Sequence, residues 1–134
     1  MHYHVQLIYL LFGDGISDTG NSVRVPVYGP IQPPTRDPYG VTFPGYPTGR
    51  WSDGRLEIDY VAEAVGLPNI VPYLSINASR SYDGVVFSIA GSTSLNDSFF
   101  ESRGIGVPPV QIPLDTQLAW FRTFLRSKCT SQTG

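Results

Sequence analysis

The residues of this chain best suited to chemistry stand together in one polar segment, Phe12–Asn21 (FGDGISDTGN). Two carboxylates, Asp14 and Asp18, lie there among glycines and hydroxyl side chains. Such a segment could bind calcium, but Ile16 stands where that pattern requires an oxygen ligand, and no Glu follows at the twelfth position. It could bind phosphate through backbone N–H groups, but no lysine follows at P-loop spacing. A strand-to-helix turn, in which Asp and Ser side chains bond free backbone amides, stays open as a third interpretation.

Three further segments, taken with this one, resemble the conserved blocks of a known family. Residues 47–63 (PTGRWSDGRLEIDYVAE) and 84–93 (GVVFSIAGST) follow in order, and Gln117–Phe121 (QLAWF) with Cys129 ends the series. Each segment is similar to a block of the plant GDSL esterase/lipases of the SGNH hydrolase superfamily, whose first block begins Phe-Gly-Asp-Ser. Four ordered blocks are a far more specific resemblance than one tetrapeptide.

The resemblance implies hydrolysis of carboxylic esters by a serine nucleophile. In the family, the serine of the first block attacks the acyl carbon. Its N–H, a glycine of the block that residues 84–93 resemble and the asparagine of a Gly-x-Asn-Asp block bind the oxyanion. A histidine three residues after an aspartate, near the C-terminus, is the general base. For this chain the resemblance assigns the oxyanion hole to Gly15 and Gly91, and the orientation of the loop to Asp14, Asp18 and Asn21. No metal ion and no cofactor are expected.

The nucleophile position is the main departure from the family, because it holds Gly15 instead of serine. Glycine can donate its N–H to an oxyanion but cannot attack an acyl carbon. Ser17 is the nearest substitute, although its hydroxyl is expected to point elsewhere. The Gly-x-Asn-Asp and Asp-x-x-His motifs are absent, and the two histidines, His2 and His4, precede the first predicted strand.

These departures predict a catalytically impaired ester hydrolase that covers the N-terminal part of the family architecture. Two alternatives stay open. One is a non-catalytic, truncated homologue that binds an ester, acyl or glycan ligand, and the other is an interaction protein with a protein partner. A small-molecule ester or acyl group is the expected ligand class for the hydrolase.

The elements that must position these residues follow an α/β order. The sequence predicts a buried strand at 5–12, a Pro-rich loop at 26–47, a helix at about 54–66, a strand at 84–90 and a helix at about 114–126. Together with the resemblance, this order predicts one partial domain over the whole chain. Its expected fold is a three-layer α/β/α, SGNH-hydrolase-like (flavodoxin-like) parallel sheet, incomplete at the C-terminal side. Its uncovered sheet edge favours edge-strand association.

Each predicted helix has an apolar stripe at helical spacing. Ser52 or Asp53 is the expected cap of the first helix, and Gly66 and Pro68 are expected to end it. The buried face predicted for this helix comprises Leu56, Tyr60, Val61, Ala64 and Val65. The buried face predicted for the last helix comprises Leu114, Leu118, Phe121 and Leu125.

Composition argues against other classes of function. Lys and Arg number 9 against 11 Asp and Glu and form no basic cluster, so nucleic-acid binding is not expected. No apolar run reaches the roughly 18 residues of a membrane span. The apolar run near the start has no basic residue before it and no cleavage site after it, so no convincing signal peptide is found. The resemblance nevertheless implies a secreted protein, and the sequons at Asn77 and Asn96 permit glycosylation there.

Overall fold

Three short parallel strands form the sheet. The computed structural model describes residues 8–77, 80–107, 109 and 112–129. Within them the strands are β1 (Tyr9–Leu11), β2 (Ile70–Pro72) and β3 (Gly84–Val86). Their order across the sheet is β1-β3-β2, and Leu10 and Val71 both lie opposite Val85. In the described part of the chain β3 is therefore central, and β1 and β2 are the edges.

The observed strands are shorter than the predicted ones. The strand predicted at 5–12 is observed at Tyr9–Leu11, and residues 5–7 lie outside the described part. The strand predicted at 84–90 is limited to Gly84–Val86, although the N–H of Phe87 still donates to the carbonyl of Leu11 at 2.7 Å. The sequence does not predict β2, because three residues ending in proline carry no strand periodicity. Pro72 is tolerated there because β2 is an edge strand.

Three α-helices are found in the described residues: α1 (Glu57–Ala64), α2 (Asp97–Glu101) and α3 (Leu114–Cys129). The first is shorter than the predicted range of 54–66, and the last continues past residue 126. The five-residue α2 is not predicted by the sequence. No helix in these ranges has the length and apolarity that crossing a membrane would require.

The Pro-rich segment 26–47 contains two single turns of 3-10 helix, Gly29–Ile31 and Pro33–Thr35, but neither a strand nor an α-helix. Its end lies against the residues that precede α1. The N–H of Gly40 donates to the carbonyl of Ser52 at 3.0 Å. Seven prolines remove backbone donors, so side-chain and turn contacts hold this segment instead of a ladder.

The start and the buried face of α1 correct the prediction. Neither Ser52 nor Asp53 caps the helix. It begins after Leu56, whose N–H donates to the Asp59 carboxylate at 2.8 Å. The same carboxylate pairs with Arg50 at 2.8 Å, so this helix side must face inward. As a result the buried residues are Leu56, Ile58, Asp59 and Ala62, whereas Tyr60, Val61, Ala64 and Val65 are exposed.

The buried face of α3 also differs from the prediction. Leu114, Leu118 and Leu125 are exposed, and Phe121 is half-buried. The fully buried side chain of this helix is Gln117, which is polar and so is invisible to an apolar pattern. Around it, α3 contributes Phe124, Trp120 and Phe121 to the core.

Helices α1 and α3 cover opposite faces of the sheet. This arrangement agrees with the alternation of side chains along a strand. Val86 packs on the α1 side, in a cluster with Tyr9, Leu11, Leu56, Ile58, Ala62 and Ile70. Val85 packs on the α3 side, in a cluster with Leu10, Tyr73, Ile76, Phe87, Trp120, Phe121 and Phe124. The architecture is therefore a three-layer α/β/α arrangement around a parallel sheet.

Candidate active site

An open cleft of about 460 Å³ lies beyond the carboxyl ends of β1 and β3. In parallel α/β sheets, ligands bind at this end of the strands. The loop after β1 forms one side of the cleft, and the loop after β3 forms another. Its lining residues are Asp14, Gly15, Ile16, Trp51, Gly91 and Ser92.

The buried side chain of Asp18 fixes the conformation of the loop after β1. Its fully buried carboxylate accepts hydrogen bonds from the backbone N–H groups of Gly20 (2.8 Å), Asn21 (2.6 Å) and Ser22 (3.1 Å). It also accepts the N–H of Ala90 at 2.9 Å, which comes from the loop after β3. One carboxylate thus fixes both loops of the cleft relative to each other.

Asn21 makes a similar connection to the sheet. Its buried side-chain amide donates to the carbonyls of Val86 (2.7 Å) and Ser88 (2.8 Å), at the end of β3. Its side-chain oxygen accepts the N–H of Leu74, just after β2, at 3.0 Å. Asn21 thus joins the loop after β1 to the residues that follow β2 and β3.

Asp14 differs from these two because it is exposed and lines the cleft itself. Its carboxylate accepts one hydrogen bond, from the N–H of Ile16 at 3.1 Å. Its carbonyl accepts the N–H of Ser17 at 3.3 Å. These contacts close a tight local turn and bring the Gly15 backbone to the cleft surface.

Gly15 and Gly91, the two glycines assigned to the oxyanion hole, both line the cleft, but for different conformational reasons. Gly91 has a φ of 84°, a left-handed conformation that favours glycine. Gly15 has no such conformation, and a Cβ added there would meet the Cβ of Ala90 at 3.4 Å, an ordinary contact. The backbone at position 15 therefore has room for a Cβ.

Ser17 does not replace the missing nucleophile in this structure. Its hydroxyl donates to the hydroxyl of Ser88 at 2.8 Å, and Ser88 is fully buried. Ser17 is also absent from the cleft lining. Its side chain points into the protein, away from the place where an ester would lie.

Gln117 begins the fourth block, but the sequence analysis assigned it no role at the site. From α3, its buried amide accepts the N–H of Gly13 at 3.0 Å and donates to the carbonyl of Gly13 at 2.7 Å. It also donates to the hydroxyl of Ser92 at 2.9 Å. The available signal was a polar residue inside the apolar face of the last helix.

Trp51 forms the remaining wall of the cleft and comes from the segment before α1. Its indole N–H donates to the hydroxyl of Ser22 at 2.8 Å, which fixes the ring beside the first loop.

Arg24 lies next to the first loop, where its guanidinium donates to the carbonyls of Gly20 and Thr48. Burial lowers the pKa of Arg24 from its ordinary value, and the charge of Asp18 opposes that shift.

The described residues place no imidazole near the cleft, since His2 and His4 lie outside them. They also hold no group of three or more His, Cys, Asp or Glu side chains suited to a metal ion. What the cleft offers to a ligand is therefore backbone N–H groups, a serine hydroxyl, an indole ring and one exposed carboxylate.

Several curated plant proteins are similar to this chain. It is 52% identical to "Acetylajmalan esterase 2" of Rauvolfia serpentina, an alignment that covers 91% of this chain and 34% of that protein. It is 53% identical to "Acetylajmalan esterase 1" of the same plant, over 92% of this chain and 32% of that protein. A GDSL esterase/lipase of Arabidopsis thaliana is 45% identical, over 90% of this chain and 34% of the relative.

The chain thus spans about a third of the length of the curated relatives it matches. No solved structure was found to match it. The sequence profile described as GDSL-like lipase/acylhydrolase matches residues 9–129, from β1 to the end of α3. The cleft is lined by residues of the first three of the four blocks, and the chain belongs to the GDSL-like lipase/acylhydrolase family.

Proposed function

We propose that this chain binds a small-molecule ester or acyl group in the cleft and, as it stands, is a catalytically impaired member of an ester-hydrolase family. The observation that carries the proposal is Gly15, which takes the nucleophile position and lines the cleft beside Gly91. Two backbone N–H groups there can bind a carbonyl oxygen, while no hydroxyl stands at the attacking position.

The chemistry of a serine nucleophile and a histidine base supports the proposal that hydrolysis by this chain is impaired. A serine hydroxyl attacks an ester only when a base removes its proton, and the chain has no Asp-x-x-His motif. In a triad enzyme, loss of the nucleophile alone lowers turnover by about 10⁶-fold. The chain also has no Gly-x-Asn-Asp motif to supply the third oxyanion donor, so we expect the chain as it stands to bind an ester without family-like turnover.

The names of two relatives suggest a ligand class. Both are acetylajmalan esterases, with 52% and 53% identity over the region that contains the cleft. An acetyl ester of a small organic molecule is therefore the ligand that we propose for this site. Secretion is proposed on the same basis of resemblance to plant GDSL esterases, and both sequon asparagines, Asn77 and Asn96, are exposed.

The test measures p-nitrophenyl acetate hydrolysis by the purified chain and by its Gly15→Ser variant. We expect neither to exceed the rate in buffer, because the variant restores the nucleophile without a base. Activity of the unaltered chain that survives ion exchange and is absent from a mock preparation would reveal another nucleophile. Family-like turnover by Gly15→Ser alone would contradict the role given to the missing histidine.

Binding is measured separately, with ethyl acetate as the probe and the backbone amide signals of Gly15 and Gly91 as reporters. Saturable shifts of these two signals are expected. Absence of shifts at Gly15 and Gly91, up to the solubility limit of the ester, would overturn the proposed binding function. The alternative of an interaction protein would then be favoured.

A further inference from the structure

The hydroxyl oxygen of Ser92 accepts a hydrogen bond from the side-chain amide of Gln117. The orientation of that amide fixes the direction of this bond. The N–H of Gly13 can only donate, so the side-chain atom 3.0 Å from it must be the Gln117 oxygen. The other end of that amide is then its nitrogen, which donates to the Gly13 carbonyl and to the Ser92 hydroxyl oxygen. Both N–H bonds of the amide are used, and Ser92 is the acceptor in one of them.

Because Ser92 accepts from Gln117, its own O–H proton is left to bond elsewhere. No described residue accepts a hydrogen bond from this hydroxyl, and Ser92 lines the cleft beside Gly91. The backbone N–H groups of Gly15 and Gly91 likewise donate to no acceptor among the described residues. Three hydrogen-bond donors thus belong to one cleft without a protein partner.

We propose that Ser92, oriented by Gln117, is a third donor to the carbonyl oxygen of the bound ester. This inference rests on the proposed ester-binding function and goes beyond it by naming a residue that the family resemblance does not assign. The Ser92 hydroxyl supplies this side-chain donor from residues 84–93, the segment that also contains Gly91.

The charge in the cleft determines which carbonyl compounds it prefers. Asp14 is the one charged side chain that lines it in the described part of the chain. A carboxylate ligand would be repelled by Asp14, whereas a neutral ester carbonyl accepts the three donors without this cost. The site therefore favours a neutral ester over the free acid that hydrolysis of the ester would release.

The experiment titrates the full chain with ethyl acetate and, separately, with sodium acetate, following the amide signals of Gly15 and Gly91. Ser92→Ala is expected to weaken ethyl acetate binding by about three- to tenfold, the usual contribution of one hydrogen bond. Ser92→Thr keeps the hydroxyl and is expected to retain most of the affinity. Ser94→Ala, an exposed serine two residues away, is the matched control and is expected to bind like the unaltered chain.

A vibrational measurement separates a direct hydrogen bond from a structural effect of the substitution. The carbonyl stretch of bound, ¹³C-labelled ethyl acetate should move to higher frequency in Ser92→Ala and stay unchanged in Ser94→Ala. Equal affinities and equal stretches in Ser92→Ala and the unaltered chain would overturn the role of Ser92 but leave ester binding intact. Failure of the unaltered chain to bind ethyl acetate would overturn both, and acetate bound as tightly as the ester would refute the preference for a neutral ligand.

Discussion

Gly15 and Gly91 line the same cleft, but the backbone conformation favours glycine at only one of the two positions. The φ of 84° at Gly91 gives a physical reason for glycine, because a side chain there is strained whatever the space around it. Position 15 has an ordinary backbone conformation and room for a Cβ against Ala90. Nothing in the fold therefore requires glycine at the nucleophile position.

This difference predicts effects of unequal size on stability from the same substitution. Gly15→Ser should change the free energy of unfolding by less than about 1 kcal/mol, because glycine's extra freedom is lost at a compatible site. Gly91→Ser should destabilise the chain by about 1–3 kcal/mol, the cost of a left-handed non-glycine residue. Urea unfolding of both variants beside the unaltered chain measures the effects. Similar losses in the two variants would contradict the backbone assignment at position 15.

The residues that line or shape the cleft all lie in the segments that resemble the family blocks, and these include Ser92 and Gln117. The family role of Asp14, Asp18 and Asn21 in orienting the loop stays a prediction, and the buried hydrogen bonds of Asp18 and Asn21 agree with it. The bonds of Gln117 and Ser92 could not be predicted in the same way. They join positions far apart in the chain, and only the packing of α3 onto the sheet brings them together.

At the scale of elements, α1 and α3 each bury a different side from the one that their apolar residues predict. In α1 the buried Asp59 carboxylate bonds the N–H of Leu56 and the Arg50 guanidinium. In α3 the buried Gln117 amide bonds the backbone of Gly13. A buried polar group must face its partners. Asp59 and Gln117 are polar and therefore do not contribute to an apolar pattern. The pattern predicts where each helix lies in the sequence but not which side of it is buried.

The clamp from α3 to the first loop gives a prediction at this scale. Gln117→Leu removes three hydrogen bonds and leaves the Gly13 backbone groups without their partner, so we expect a loss of about 2–4 kcal/mol in unfolding free energy. Amide exchange at Gly13 should accelerate. Arg122→Leu, an exposed substitution on the same helix, is the control and should change stability little. Undiminished stability together with slow exchange at Gly13 in Gln117→Leu would show that the clamp is dispensable.

At the scale of the whole molecule, the edge of β1 that pairs with no strand in the described part of the chain continues into an apolar surface. Ile8 and Phe12 lie on the same side of the strand as Leu10 and are 40% and 41% exposed. Along α3, Trp120 stacks on Tyr73 beside β2, whereas Phe121 meets Phe12 beside β1. Leu118 and Leu125 lie one turn before and after Phe121, so this leucine stripe extends towards the space beyond the β1 edge. The sequence pattern predicted these leucines to be buried, and in the described part of the chain nothing covers them.

We expect the purified chain to self-associate through this surface, with the β1 edge of one copy against that of another, because an unpaired edge flanked by apolar side chains invites strand addition. Sedimentation over a range of concentrations should show association that weakens at least tenfold, or by about 1.4 kcal/mol, in Leu118→Glu, since a charge would have to be buried in the contact. Val61→Glu has a similar degree of exposure on the other side of the sheet and should leave association unchanged. A chain that stays monomeric at every concentration and unfolds cooperatively would show that the β1 edge needs no cover. Equal weakening by both substitutions would place the contact elsewhere.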